Sequence, residues 1–141
     1  FNNGMEYFNS FGGNPVSLAA GNAVLDEIKK FKLQQNSFKI GNYLKSKLNT
    51  LKNKFPDKII EIRGEGLFLG IDLIDKGNPL LPNKKLAKYI INYCRKLGVL
   101  ISTDGPHDNV LKIKPPIIFN LKDANFLIKT INDSLLKYEK K

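Results

Sequence analysis

Apolar residues recur along this chain with two different periods, and the switches between them lay out its elements. After Asn14-Pro15, a cap residue followed by a proline suited to a first helical position, Val16, Ala19, Ala20, Ala23, Val24, Leu25 and Ile28 fall at three- and four-residue steps. That predicts a helix from Pro15, and the alanines and glycine between 19 and 23 predict a close neighbour. A second helix is predicted over Gln35 to Lys54, with Phe38, Leu44, Leu48, Leu51 and Phe55 in one stripe, lysines opposite and Pro56-Asp57 as its stop. The period then drops to two. Lys58 to Ile62 and Leu67 to Ile74 read as strands joined by Arg63-Gly-Glu-Gly66, with Ile60, Ile62, Leu67, Leu69, Ile71 and Leu73 on the buried side.

Asp75 to Asn83, which carries Pro79 and Pro82, reads as a loop. Lys84 to Leu97 returns to the helical period, with Leu86, Tyr89, Ile90, Tyr93, Cys94 and Leu97 inward and Gly98 as the stop. Val99 to Ser102 reads as a strand, Asp104-Gly105-Pro106 as a turn, and the stretch from Val110 as a strand ended by Pro115-Pro116. A last helix is predicted from Lys122 to Lys140, capped by Asn120 with Asp123 three residues on, and burying Ala124, Leu127, Ile128, Ile131, Leu135 and Tyr138. This order predicts an α+β fold: a mostly antiparallel sheet of three to four strands with helices packed on one face.

Composition narrows the picture. At 141 residues, 42% hydrophobic and 26% charged, the chain has the makeup of a globular protein with one main core. No apolar run reaches the roughly 18 residues of a membrane span, and the cytoplasm is the default expectation. The net charge of +10 raises nucleic-acid binding as a class, but the 21 lysines and two arginines are spread along the chain from Lys29 onward without a basic run longer than two. No nucleic-acid and no membrane partner is expected. The first residue is not methionine, and Phe1 to Ser10 has several apolar residues but no period, as expected of a segment continuing from something upstream.

Candidate chemistry is concentrated in a few places. In the strand after the Ser102 to Asn109 stretch, Val110, Lys112 and Lys114 share one face and Leu111 and Ile113 the other, so two ammonium groups point the same way near His107, the only histidine. Gly12-Gly13-Asn14 ahead of a helix offers backbone amides suited to an anion, and Ser10 adds a hydroxyl. Gly64, Gly66 and Gly70 have the wrong spacing for a dinucleotide fingerprint and precede a strand. Arg63 beside them is better placed to cap a carbonyl than to bind an anion. Cys94, the only cysteine, excludes an internal disulfide and a cysteine metal cluster, and its helical setting makes it a buried thiol. No metal site is expected.

Three stretches, Gly4 to Ser17, Ile62 to Leu73 and Ser102 to Pro116, occur in an order and spacing that resemble the C-terminal part of class III pyridoxal-phosphate aminotransferases. Ser102-Thr-Asp-Gly-Pro-His107 followed by Asn109-Val-Leu-Lys-Ile-Lys-Pro-Pro116 looks like the branch containing ethanolamine-phosphate phospho-lyase. The resemblance implies the small C-terminal domain of a fold type I homodimer, with residues 1–34 as the connection from a large domain and 35–141 as the small domain. It implies pyridoxal 5'-phosphate as cofactor, with the Schiff-base lysine outside this chain, so the chain alone is expected to be inactive and to hold no catalytic residue.

It further implies that Ser10, where the family usually has threonine, and the Gly12, Gly13, Asn14 turn contact the cofactor phosphate across the dimer interface. Lys112 stands where these aminotransferases commonly have an arginine that grips the substrate carboxylate. A lysine cannot make that two-pronged contact, which fits a carboxylate-free substrate such as phosphoethanolamine. Lys112, Lys114 and His107 are the expected substrate-binding residues. Transamination to a keto acid is the alternative reaction, and a non-catalytic basic binding module the alternative of another class.

Overall fold

The computed structural model describes residues 4, 6, 8–10 and 12–139, and its internal contacts divide the chain into Phe1–Leu33 and Gln34–Lys141. In the first unit, α1 (Pro15–Lys30) starts where the Asn14-Pro15 pair predicts: the Asn14 Oδ1 accepts the Val16 and Ser17 N–H groups at 3.0 and 3.2 Å. None of its residues is buried, Val16 is 79% and Val24 59% exposed, and the described residues of this unit do not supply the expected close neighbour.

The second unit is built on α2 (Leu33–Lys54), β1 (Ile59–Glu65), β2 (Phe68–Asp75), β3 (Asn78–Pro82), α3 (Lys84–Lys96), β4 (Ser102–Asp104), β5 (Val110–Ile113) and α4 (Leu121–Glu139). The sheet is antiparallel, in the order β1-β2-β5-β4, with β3 paired to the far end of β2. Ile59, Ile62, Leu69, Ile71, Leu73, Leu111 and Ile113 from one face of the sheet join Leu44 and Leu48 of α2, Ile90 and Cys94 of α3, and Ile131 and Leu135 of α4 in a single cluster. Burying each such Leu or Ile side chain is worth roughly 1.5–3 kcal/mol, so this cluster holds the three helices to one side of the sheet. The opposite side is left to charge.

Several expectations shift. The sheet has five strands rather than three to four, because Asp75 to Asn83 is not a loop: Ile74 pairs with Pro82 and Asp75 with Asn78. Two prolines are compatible with β3 because it pairs on one side only, so the missing N–H groups break no ladder. The strand expected at Val99 to Ser102 lies at Ser102–Asp104. Gly98 ends α3 at φ 80°, the Val99 N–H returns to the Cys94 carbonyl at 2.9 Å, and residues 99–101 are spent reaching the sheet edge.

Ile60 is 37% exposed while Ile59 is buried, because the pairing steps from Ile59↔Leu73 to Glu61↔Asp72 and makes Ile60 the extra residue of a bulge. Phe38 and Leu97, expected inward, are 61% and 46% exposed; Ile40 and Gly41 take the inward place on α2. The Asn120 cap of α4 forms as expected, its Oδ1 accepting from Lys122 and Asp123 while Asp123 accepts from the Asn120 N–H. The predicted end at Lys140 lies outside the described residues.

Candidate functional site

The open face of the sheet is organised by register. Arg63 pairs with Gly70, Gly70 with Lys112, and Lys112 with Ser102, so these four residues form one row across β1, β2, β5 and β4. Two residues along each strand, on the same face, Glu61 pairs with Asp72, Asp72 with Val110, and Val110 with Asp104. Paired residues share a face, so a basic row lies beside an acidic one.

The two rows are joined by diagonal ion pairs of the same sense. The Arg63 guanidinium meets the Asp72 carboxylate with both Nη atoms and reaches the Glu61 Oε2 at 3.1 Å. The Lys112 Nζ donates to the Asp104 Oδ2 at 2.9 Å, and the other Asp104 oxygen accepts the Gly105 N–H at 2.8 Å. Lys112's hydrogen bond first, and then that of Gly105, hold the Asp104 carboxyl below the usual carboxylate range. Arg63 and Lys112 keep 48% and 36% of their side-chain surface exposed, so neither cation is sealed in its pair. Between them Gly70 contributes no side chain, and a depression of about 250 Å³ opens there, walled also by Phe68 and Asp104.

The remaining expected site residues are placed as follows. Lys114 lies just past β5, its ammonium 5.6 Å from the centre of the Phe68 ring. His107 is exposed in the β4–β5 loop and faces a neighbouring hollow of about 380 Å³ beside Pro79, Pro82 and Pro106, which Arg63 and Val110 also wall but Lys112 does not. That loop is tied to the start of α3 by a Lys84–Asp108 pair of 2.6 Å. Arg63 caps no carbonyl, contrary to expectation; its charge is directed to carboxylates on its own sheet face.

In the first unit Ser10, Gly12, Gly13 and Asn14 are all exposed, with Gly13 at φ 86°. The Asn14 side chain takes up the amides of Val16 and Ser17, and the Gly12 N–H donates to the Asn9 carbonyl at 3.2 Å. The amides of Gly12, Val16 and Ser17 are thus already bonded within the chain, and the exposed Ser10 hydroxyl is a donor left beside the turn, of the kind a cofactor's phosphate takes. Cys94 is on the buried face of α3, and burial pushes its thiol up to about 11, which leaves it protonated and unreactive.

Gly70 and Asp104 were missed in the sequence, one read as part of a failed fingerprint and the other as a turn residue. The signal that finds them is strand register, which needs the partner strand. No group of three or more His, Cys, Asp or Glu side chains among the described residues is placed to hold a metal, and no helix among them is long and apolar enough to cross a membrane.

An α+β domain with helices on one sheet face and paired charges on the other, preceded by a separate glycine-turn helix, is the class of structure described. The chain belongs to the class-III aminotransferase family, whose sequence model matches residues 3–135. It is 46% identical over 123 residues to an alanine–glyoxylate aminotransferase 2-like protein of Drosophila melanogaster, covering 86% of this chain and 25% of that one. It is 44% identical over 126 residues to ethanolamine-phosphate phospho-lyase homolog 1 of Caenorhabditis elegans, covering 89% and 26%. Among solved structures, a phospholyase from Arthrobacter in complex with phosphoethanolamine superposes with a TM-score of 0.84 at 40% identity, over 92% of this chain and 31% of that one. The chain thus spans about a quarter of the length of the curated relatives it matches.

Proposed function

We propose that this chain is the small-domain part of a pyridoxal-phosphate enzyme that eliminates phosphate from phosphoethanolamine or a related phosphorylated amine. The observation that carries the reading is Lys112 and its partner. A single ammonium already bound to Asp104 at 2.9 Å is poorly suited to the two-pronged grip an amino acid's α-carboxylate requires. The likeness to a phospholyase that binds phosphoethanolamine supports the same substrate class.

When bound, the cofactor supplies an electron sink for the carbon next to the substrate nitrogen. This chain's residues would act at the edges of that chemistry. Ser10, with the turn at Gly12, Gly13 and Asn14, would hold the cofactor phosphate, reaching it across the interface of a homodimer. Lys112 and Lys114 would attract the substrate's phosphate and offset its charge as it leaves, with His107 acting from the neighbouring hollow. The lysine that carries the cofactor is expected outside the chain, so the full-length protein in the cytoplasm is the active form.

A second reading has its own support, since the relative from Drosophila melanogaster is named an aminotransferase at comparable identity. Phosphate release by the full-length protein, supplied with pyridoxal phosphate and phosphoethanolamine first without and then with a keto acid, separates them. Release of phosphate is the expected result; amino transfer to a keto acid without phosphate release would replace the lyase reading with the transaminase one.

A further inference from the structure

We infer that Arg63 and Lys112, with Gly70 between them, form a two-armed oxyanion site that takes the phosphate group of the substrate, Arg63 being its second and specificity-determining arm. The identity of the ligand rests on the phospho-lyase reading; the site itself rests on register. Arg63, Gly70 and Lys112 are consecutive positions of one row, so the two cationic residues stand two strand spacings apart, about 9.6 Å between backbones. That gap is too wide for the cations to touch and suits an anion held between two long side chains. A side chain at Gly70 would close it: its Cβ would lie 3.2 Å from the Val110 Cγ1 and 3.7 Å from the Arg63 Cγ, inside the depression of about 250 Å³.

The acidic row explains selectivity. In this structure both cations bind carboxylates of their own sheet, Asp72 and Glu61 for Arg63 and Asp104 for Lys112. A substrate carboxylate offers them nothing that these residues do not already supply. A phosphate dianion offers twice the charge and three oxygens, and can face both arms at once, which a single carboxylate on one strand cannot. Lys112–Asp104 and Arg63–Glu61 are exposed pairs that exchange partners readily, whereas Asp72, its side chain 15% exposed, stays on Arg63 and leaves the remaining N–H groups of the guanidinium to the phosphate. Arginine in the second position adds the forked geometry that Lys112 lacks.

The test uses the full-length protein loaded with pyridoxal phosphate, with inorganic phosphate as probe in a calorimetric titration and acetate as control. Arg63→Gln is expected to weaken phosphate binding about tenfold or more, the loss of a charged hydrogen-bond pair, while Arg63→Lys restores part of it. Gly70→Val, which fills the notch without removing a charge, is expected to weaken it similarly, and in turnover both variants raise KM for phosphoethanolamine more than they lower kcat. Asp104→Asn is expected to strengthen acetate binding relative to phosphate.

Wild-type affinity for phosphate in both Arg63→Gln and Gly70→Val overturns the site, as does a wild type that does not bind phosphate above acetate. If phosphate binding follows these variants but phosphoethanolamine yields no phosphate, the site stands and the lyase reading fails. If phosphoethanolamine is cleaved and the variants change nothing, the lyase reading stands and the site fails.

Discussion

Gly41 shows how much a single residue decides here. A Cβ at this position on α2 would lie 2.1 Å from the Gly66 carbonyl oxygen, a backbone atom of the β1–β2 turn that cannot step aside. Gly41→Ala is therefore expected to lower stability by about 1–3 kcal/mol or more, read as a fall in the urea midpoint with an unchanged slope. Cys94 makes a different case. With its thiol raised to about 11 by burial, it is expected to resist a thiol reagent at pH 8 in the native protein and to react at once in denaturant.

Asp104 supplies the pH dependence. Its folded-state pKa lies below the ordinary carboxylate value near 3.9, so its contribution is present above that pH and is lost as pH falls through the depressed value. A carboxyl-carbon titration by NMR is expected to place its midpoint below ~3.9, and Lys112→Met is expected to return it toward the ordinary value. A wild-type midpoint above 3.9 would mean that the pair with Lys112 does not persist in solution.

Elements follow the sequence where their signals are local. The Asn120 and Asp123 exchange at the start of α4 is written in four consecutive residues, and Asn120→Ala is expected to cost about 1 kcal/mol in thermal or urea unfolding. The core strands β2 and β5 likewise obey alternation, with Leu69, Ile71 and Leu73 on one side and Leu111 and Ile113 joining them. β3 and β4 do not. Asn78–Pro82 carries two prolines and no buried residue, so nothing in its own composition marks a strand; it is one because the far end of β2 has a free side to pair. β4 keeps only three residues, its place fixed by β5 rather than by the apolar run at Val99 to Ile101. Ile60 is displaced for the same kind of reason, since a bulge is a property of two strands and shows in neither alone.

At the scale of the whole molecule, the sequence by itself determined the class of fold, the helix starts, the core faces of the central strands and, through its long motifs, the family. These depend on local spacing or on runs of residue identity, both of which survive in one dimension. Lys112's place on the open face was legible because alternation sets it opposite Ile113, which joins the core. What only the tertiary structure decided was which residues stand beside it. Arg63 and Lys112 are far apart in the chain and become members of one row because β5 inserts next to β2, while His107, five residues from Lys112, turns to a different hollow. Register between strands distant in sequence is set by the packing of the whole core, and a glycine such as Gly70 becomes part of a site only when that packing stands charged side chains on both sides of it.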